Sequence, residues 1–186
     1  GNLINGEILS YICRTFKKSI IFIDEAYHDF SGKTYKSLAL KNPNVILCRS
    51  FSKIQMAGLR LGYGIANPEY VKLIEDILLV PYNLNILQLA AAKHFGSIKP
   101  AIRKMAGIVN TEKKKMYGAL KEKNIPFKPS RGNFILFKHA DPSVTFDNLL
   151  SEGVKIRDVS GLPGLKGYLR VTVSSPKENK LFLKHL

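Results

Sequence analysis

Between residues 3 and 18, Ile4, Ile8, Tyr11, Ile12 and Phe16 recur at helical spacing. The chain then switches to an unbroken apolar run at 19–23, the pattern of a short strand buried on both faces as in a parallel sheet. A helical turn is predicted at 36–40, a second short buried strand at 45–48, a loop at 49–58 and a third strand at 60–66. Asn67-Pro68 pairs a cap residue with a proline at the first helical position, so a helix should start there, run through Leu79 and break near Pro81. Residues 85–94 are Ala-rich and helical. After Gly96-Ser97 a long helix is predicted from 98 to about 123, on Ile102, Met105, Ile108, Val109, Met116 and Leu120, with one longer gap in the series.

Beyond Asn124 the texture changes. Strands at 134–137, 154–156 and 168–173 alternate with helices at 145–150 and 176–186, a compact α+β pattern. The reading is an α/β chain with a boundary in the long helix, residues 1–98 forming one unit and 99–186 the helix and a small α+β domain. With 186 residues and 45% hydrophobic content, the chain has enough apolar mass for one or two small cores. No apolar run reaches the roughly 18 residues of a membrane span. Two cysteines imply no disulfide framework, which favours a reducing, cytoplasmic setting. The formal charge of +15 reads as a solvated basic surface or a preference for anionic ligands. Lys113-Lys114-Lys115 is the longest basic run, and nothing around it resembles a nucleic-acid-binding pattern. The four histidines show no metal-ligand spacing, and no metal is expected.

The stretch IIFIDEAYHDFSGKT, residues 20–34, carries two suggestions of a nucleotide hydrolase: an apolar strand ending in Asp-Glu, and Gly32-Lys33-Thr34. A phosphate loop needs a glycine five residues before its Gly-Lys-Thr, so that backbone N–H groups can wrap the phosphates. Tyr27 stands there instead, and the lysine follows the acidic strand end rather than preceding it. The hydrolase reading fails on both counts.

A second strand end gives a better account. In CRSFSKIQMAGLRLGYG, residues 48–64, a buried strand is followed by Ser50, Ser52, Lys53 and Arg60. Ligands of open parallel sheets sit at the carboxyl ends of strands, and Asp24 ends the preceding strand. One carboxylate, one lysine, two hydroxyls and one guanidinium suit pyridoxal phosphate (PLP). The lysine bonds the aldehyde, the carboxylate keeps the ring nitrogen protonated, and the hydroxyls and arginine hold the phosphate. Tyr27 is placed to contact the ring hydroxyl.

IDEAYHDF and SFSKIQMAGLRLGYGIANPEYV resemble the fold-type I PLP aminotransferases, and within them the histidinol-phosphate aminotransferases. GNLINGEIL, PYNLNILQLAA, GVKIRD and GYLRVTVSSPKEN resemble further segments of that family, in its order. The resemblance implies the C-terminal half of a PLP-dependent large domain, a mostly parallel sheet with helices, plus a small C-terminal α+β domain. It implies Lys53 as the Schiff-base lysine, Asp24 as the ring-nitrogen partner and Tyr27 on the ring hydroxyl. Ser50, Ser52 and Arg60 would hold the cofactor phosphate, and Arg157 and Arg170 the substrate's anionic end. The implied reaction is amino transfer between histidinol phosphate and 2-oxoglutarate in a cytoplasmic homodimer, without nucleic acid or membrane.

Two departures from the family stand out. Its members have one more residue between the lysine and the arginine, which are seven apart here. The family's phosphate-loop glycine, ring-stacking aromatic and partner-subunit residues are not found. A fragment or one piece of a split enzyme is therefore expected, with little or no transaminase activity alone. Rival readings are a threonine-phosphate decarboxylase on the same scaffold, an inactive half-enzyme acting only in assembly, and a nucleic-acid binder drawn by charge.

Overall fold

A computed structural model describes residues 1–78 and 83–186, with only the backbone of Leu78 described. The chain divides into two compact units, Leu3–Lys104 and Met105–Leu186, the latter joined by Gly1–Asn2.

In the Leu3–Lys104 unit the order is α1 (Gly6–Thr15), β1 (Ile21–Asp24), α2 (His28–Ser31), α3 (Lys36–Lys41), β2 (Val45–Ser50), β3 (Gly62–Ile65), α4 (Pro68–Leu73) and α5 (Ile86–Lys93). The unit also holds the first ten residues of α6 (Phe95–Glu122). The sheet order is β1-β2-β3, with β1 parallel to β2 and β2 antiparallel to β3. The expectation of a mostly parallel sheet is thus corrected: one ladder is parallel and one antiparallel. The residues after β2 turn back on themselves instead of crossing over, so β3 runs against β2. The strands also lie close together at the turn. A side chain at Gly62 would put its Cβ 2.7 Å from the Arg49 carbonyl, so only glycine fits without moving backbone.

The core of this unit is Leu9, Cys13, Ile23, Ala39, Val45 and Leu47. Helix α1 forms where its spacing predicts, but the side that packs inward is Leu9 and Cys13, while Ile4, Ile8, Tyr11 and Phe16 are exposed. Likewise β1 is not buried on both faces, because Ile20 and Phe22 face out. Asn44 fixes α1 to the sheet: its buried Nδ2 donates to the Phe16 and Ser19 carbonyls at 3.0 and 3.1 Å, satisfying groups left open at the helix end. Helix α4 starts as predicted, with Asn67 accepting from the Glu69 N–H, but after Leu73 it widens into a π turn at Ile74–Leu78. The predicted end at Leu79 and the break at Pro81 lie outside the described residues, as does part of the PYNLN motif.

Helix α6 begins at Phe95 and runs through Gly96-Ser97, where a break was expected. In the Met105–Leu186 unit its buried positions are Ala106, Val109, Met116 and Leu120. The longer gap between Val109 and Met116 is filled by Glu112 and Lys113, both buried. Asn179 Nδ2 donates to Glu112 at 3.3 Å, and Lys113 Nζ donates to the Gly132 carbonyl at 2.6 Å. The rest of the unit is β4 (Phe127–Lys128), β5 (Phe134–Lys138), α7 (Pro142–Ser151), β6 (Arg157–Asp158), β7 (Tyr168–Thr172) and α8 (Pro176–His185). Strand β4 was not predicted, and the strand expected at 154–156 lies at Arg157–Asp158 instead. The sheet order is β4-β5-β7-β6, antiparallel throughout. Ile135, Phe137, Leu169 and Val171 are buried on one face, and Phe137 meets Phe182 of α8 edge to face at 5.5 Å.

Candidate active site

Asp24 ends β1 in register with Cys48 of β2. Alternation along the strand puts Asp24 on the face of Phe22, and Ile23 and Glu25 on the opposite, core-packed face. The Asp24 carboxylate is exposed, and its Oδ1 accepts the Ala26 N–H at 2.9 Å, which turns the chain toward Tyr27. Its charge also reaches Cys48. Burial first, and the Asp24 carboxylate second, push the Cys48 thiol above its ordinary pKa.

Past β2, Ser50 Oγ accepts the Ser52 N–H at 3.0 Å and starts a short 3-10 turn at Phe51–Lys53. This turn sets Lys53 half-buried, with its Nζ 5.4 Å from the centre of the Tyr27 ring. The structure therefore brings Tyr27 and Lys53 together, beside the strand ends that carry Asp24 and Ser50. The loop then bends sharply: Gln55 and Arg60 both have left-handed backbones, φ 67° and 50°. Non-glycine residues held there mark stored strain, a feature that concentrates at functional sites. Arg60 is exposed and its Nη1 lies 3.4 Å from the Ala57 carbonyl. From outside the loop, buried Gln88 of α5 donates to the Leu59 carbonyl at 2.8 Å and fixes the far limb. Phe51 packs edge to face on Phe95 at 4.8 Å and anchors the near limb.

A buried network behind this surface escaped the sequence reading. Glu25, 6% exposed, accepts from the Tyr35 N–H, from the Thr34 hydroxyl at 2.9 Å and from Arg49 Nε at 3.1 Å, and pairs with Arg49 Nη2 at 3.0 Å. Arg49 also reaches the Thr34 hydroxyl at 2.7 Å and the Tyr63 hydroxyl at 3.1 Å. This network ties the ends of β1, β2 and β3 on the face opposite Asp24. The strand alternation carried the signal: Glu25 and Arg49 each follow an inward-facing residue by two. The same network explains the Gly32-Lys33-Thr34 stretch. Gly32, at φ 65°, closes α2, and Thr34 serves Glu25.

Arg157 and Arg170 belong to the other unit. They are direct cross-strand partners of β6 and β7, so both side chains leave the same face of the sheet. Arg170 lies over the Phe134 ring at 5.4 Å, and Lys128 lies over the Tyr168 ring at 4.7 Å. Like charges placed directly opposite repel, and an anion between them removes that cost.

The sequence model of class I and II aminotransferases matches residues 1–186. The chain belongs to the class I and II aminotransferase family. The histidinol-phosphate aminotransferase of Vesicomyosocius okutanii is 34% identical over 184 residues, which cover 98% of this chain and 51% of that protein. Another from Mannheimia succiniciproducens is 35% identical, covering 97% and 50%. The chain thus spans about half the length of the curated relatives it matches. That share says how much of the relatives is covered and does not carry the expectation of a C-terminal part. Among solved aminotransferases, the histidinol-phosphate enzyme of Clostridium acetobutylicum superposes with a TM-score of 0.91 at 26% identity, over 100% of this chain and 59% of its own. That of Sinorhizobium meliloti, in complex with pyridoxal-5'-phosphate, gives 0.87 at 20% identity over 99% and 52%, a likeness of fold. The L-threonine-O-3-phosphate decarboxylase of Porphyromonas gingivalis gives 0.78 at 25% identity over 100% and 59%.

Proposed function

We propose that this chain carries the PLP-binding and substrate-anion residues of a histidinol-phosphate aminotransferase. The observation that carries the reading is the Lys53 amine on the Tyr27 ring, next to the strand end that bears Asp24. The donor set fits the cofactor: an exposed carboxylate, an amine on an aromatic ring, two hydroxyls and a guanidinium on a strained loop. When bound, PLP supplies an electron sink for the substrate's α-carbon. Asp24 then holds a proton at the ring nitrogen through its charge. Tyr27 orients the ring hydroxyl, and Ser50, Ser52 and Arg60 bind the phosphate oxygens. Lys53 attaches the cofactor and, once released, takes and returns the substrate's α-proton as general base and acid. Arg157 and Arg170 take the phosphate and carboxylate of histidinol phosphate and 2-oxoglutarate, for which the repelling cross-strand pair is suited. In this reading residues 1–98 are part of the PLP domain, residues 99–186 are the linking helix and small domain, and the working enzyme is a cytoplasmic homodimer.

Borohydride reduction of the chain incubated with PLP should leave a pyridoxyl group on the peptide containing Lys53. Lys53→Ala should abolish that label. Labelling spread over surface lysines, with none at Lys53, overturns the assignment. The chain alone should turn over little or no histidinol phosphate, because half of the relatives' length is not covered.

A decarboxylase acting on threonine phosphate is the second reading, favoured by the superposition on the P. gingivalis enzyme. With the uncovered half of a relative supplied, the aminotransferase reading expects glutamate from histidinol phosphate and 2-oxoglutarate. Carbon dioxide release from threonine phosphate would decide for the lyase.

A further inference from the structure

A cavity of about 260 Å³ lies in the Leu3–Lys104 unit, on the side of the sheet opposite Asp24. Its first wall is Arg49 and Tyr63, cross-strand partners of β2 and β3 that share a face. Its second wall is His28 and Asp29 of α2. Its third is the start of α6, where Phe95, Lys99, Ile102 and Arg103 fall on one side of the helix at 100° per residue. The space far exceeds what one water needs and suits a small metabolite.

The charges around this cavity do not cancel by contact. Arg49 is matched by Glu25 at 3.0 Å, behind the wall. Among the described residues the Asp29 carboxylate pairs only with His28, Oδ2 to Nδ1 at 3.3 Å. Burial holds that imidazole below its ordinary pKa of 6.5, so near pH 7 it is neutral and the charge of Asp29 stands. Across the cavity Lys99 Nζ meets only the Phe95 ring, at 5.4 Å, and Arg103 meets no acceptor among the described residues. These two cations stand four residues apart on one helix, a spacing at which like charges repel. Between the two signs the surface is apolar: Phe95 packs on Phe51 and Tyr63, and Ile102 is buried. Opposite charges held apart over an apolar floor match a small molecule that carries both charges and an apolar body.

We propose that this cavity is a binding site for a free α-amino acid with an apolar side chain. The ligand's carboxylate bridges Lys99 and Arg103, its ammonium donates to Asp29, and its side chain lies on Phe95, Tyr63 and Ile102. The carboxylate removes the repulsion between the two cations, and the guanidinium can hold it with two parallel hydrogen bonds. Phe95 also packs on Phe51, which opens the turn that carries Lys53, so the occupant sits directly behind that turn. Detecting it needs neither PLP nor turnover, so a failure to label Lys53 and a failure of this site are separate results.

The test is calorimetric titration of the full chain with L-leucine, with 4-methylpentanoate, which lacks the ammonium, and with 3-methylbutylamine, which lacks the carboxylate. Saturable one-to-one binding of leucine is expected. Each analogue should bind about ten-fold more weakly, the loss of one charge-assisted hydrogen bond. Asp29→Asn and Arg103→Gln should each weaken leucine by a similar factor. Asparagine keeps the shape of aspartate and Arg103 is exposed, so both variants should keep the circular dichroism of the chain. Leucine should also slow amide exchange at residues 28–31 and 95–103. Arg170→Gln, in the other unit, should leave leucine binding unchanged. Three outcomes overturn the proposal: leucine fails to bind up to the millimolar range, the analogues bind as tightly as leucine, or binding survives both Asp29→Asn and Arg103→Gln. Loss of binding in Arg170→Gln would equally overturn it, by moving the amino acid to the arginine pair of β6 and β7.

Discussion

Glu25 and Asp24 are adjacent carboxylates with opposite surroundings, because consecutive strand residues face opposite sides. Asp24 remains open to a ligand, while Glu25 is closed in by Thr34, Tyr35 and Arg49. Breaking a buried pair strands the surviving charge. Glu25→Gln should therefore cost about 3 kcal/mol in denaturant unfolding, with the fastest-exchanging new amides at the ends of β1 and β2. A cost below the uncertainty of the measurement would mean that the network is slack. His28 tests the same region by pH. Burial, partly offset by Asp29, holds its pKa below the ordinary 6.5, so the folded state resists protonation. Its contribution is complete above the unfolded value and is lost as pH falls below about 6.5. In His28→Gln the stability slope between pH 7 and 5.5 should flatten.

At the scale of elements, the start of α4 at Asn67-Pro68 was legible, because a cap is a local hydrogen bond between near neighbours. Asn5, Asn67, Asn85, Asp141 and Ser175 all accept from an N–H in the first turn that follows. Helices α5 and α8 both carry reciprocal caps; in α8 Glu178 reaches back to the Ser175 N–H while Ser175 Oγ accepts from the Glu178 N–H. Ser175→Ala should lower the stability of the chain by about 1 kcal/mol. Hydroxyls of Ser174 and Ser175 also hold the Glu178 carboxyl below its ordinary pKa of 4.5. That support is present above pH 4.5 and fades below it, so the variant should lose part of its acid sensitivity. Which side of a helix or strand is covered was less legible. Ile4, Ile8 and Tyr11 have the spacing of a core stripe, yet Leu9 and Cys13 hold the core. Strand β4 is two residues long, too short for any period to show.

Across the whole molecule, the charge of +15 bears on how anions arrive. An excess of cations raises the local concentration of a phosphorylated ligand, and salt screens that attraction beyond about 10 Å. The rate at which PLP labels Lys53 should therefore fall several-fold between 20 mM and 500 mM salt, followed by mass spectrometry of the reduced adduct. A rate independent of salt would confine the charge to solubility. The two units contribute different chemistry to the proposed activity: a lysine, a carboxylate and hydroxyls in one, paired guanidiniums on an antiparallel sheet in the other.

The sequence by itself determined the α/β class, the strand end at Asp24, the capped start of α4 and the family, because each rests on residues close along the chain or on ordered motifs. Only the tertiary structure decided the rest. It turned β3 antiparallel, set Lys53 against Tyr27, buried Glu25 with Arg49 and left the Phe22 face bare. Each of these depends on which distant segment fills the space beside a residue, and hydrophobic spacing records that a face is apolar without recording what covers it.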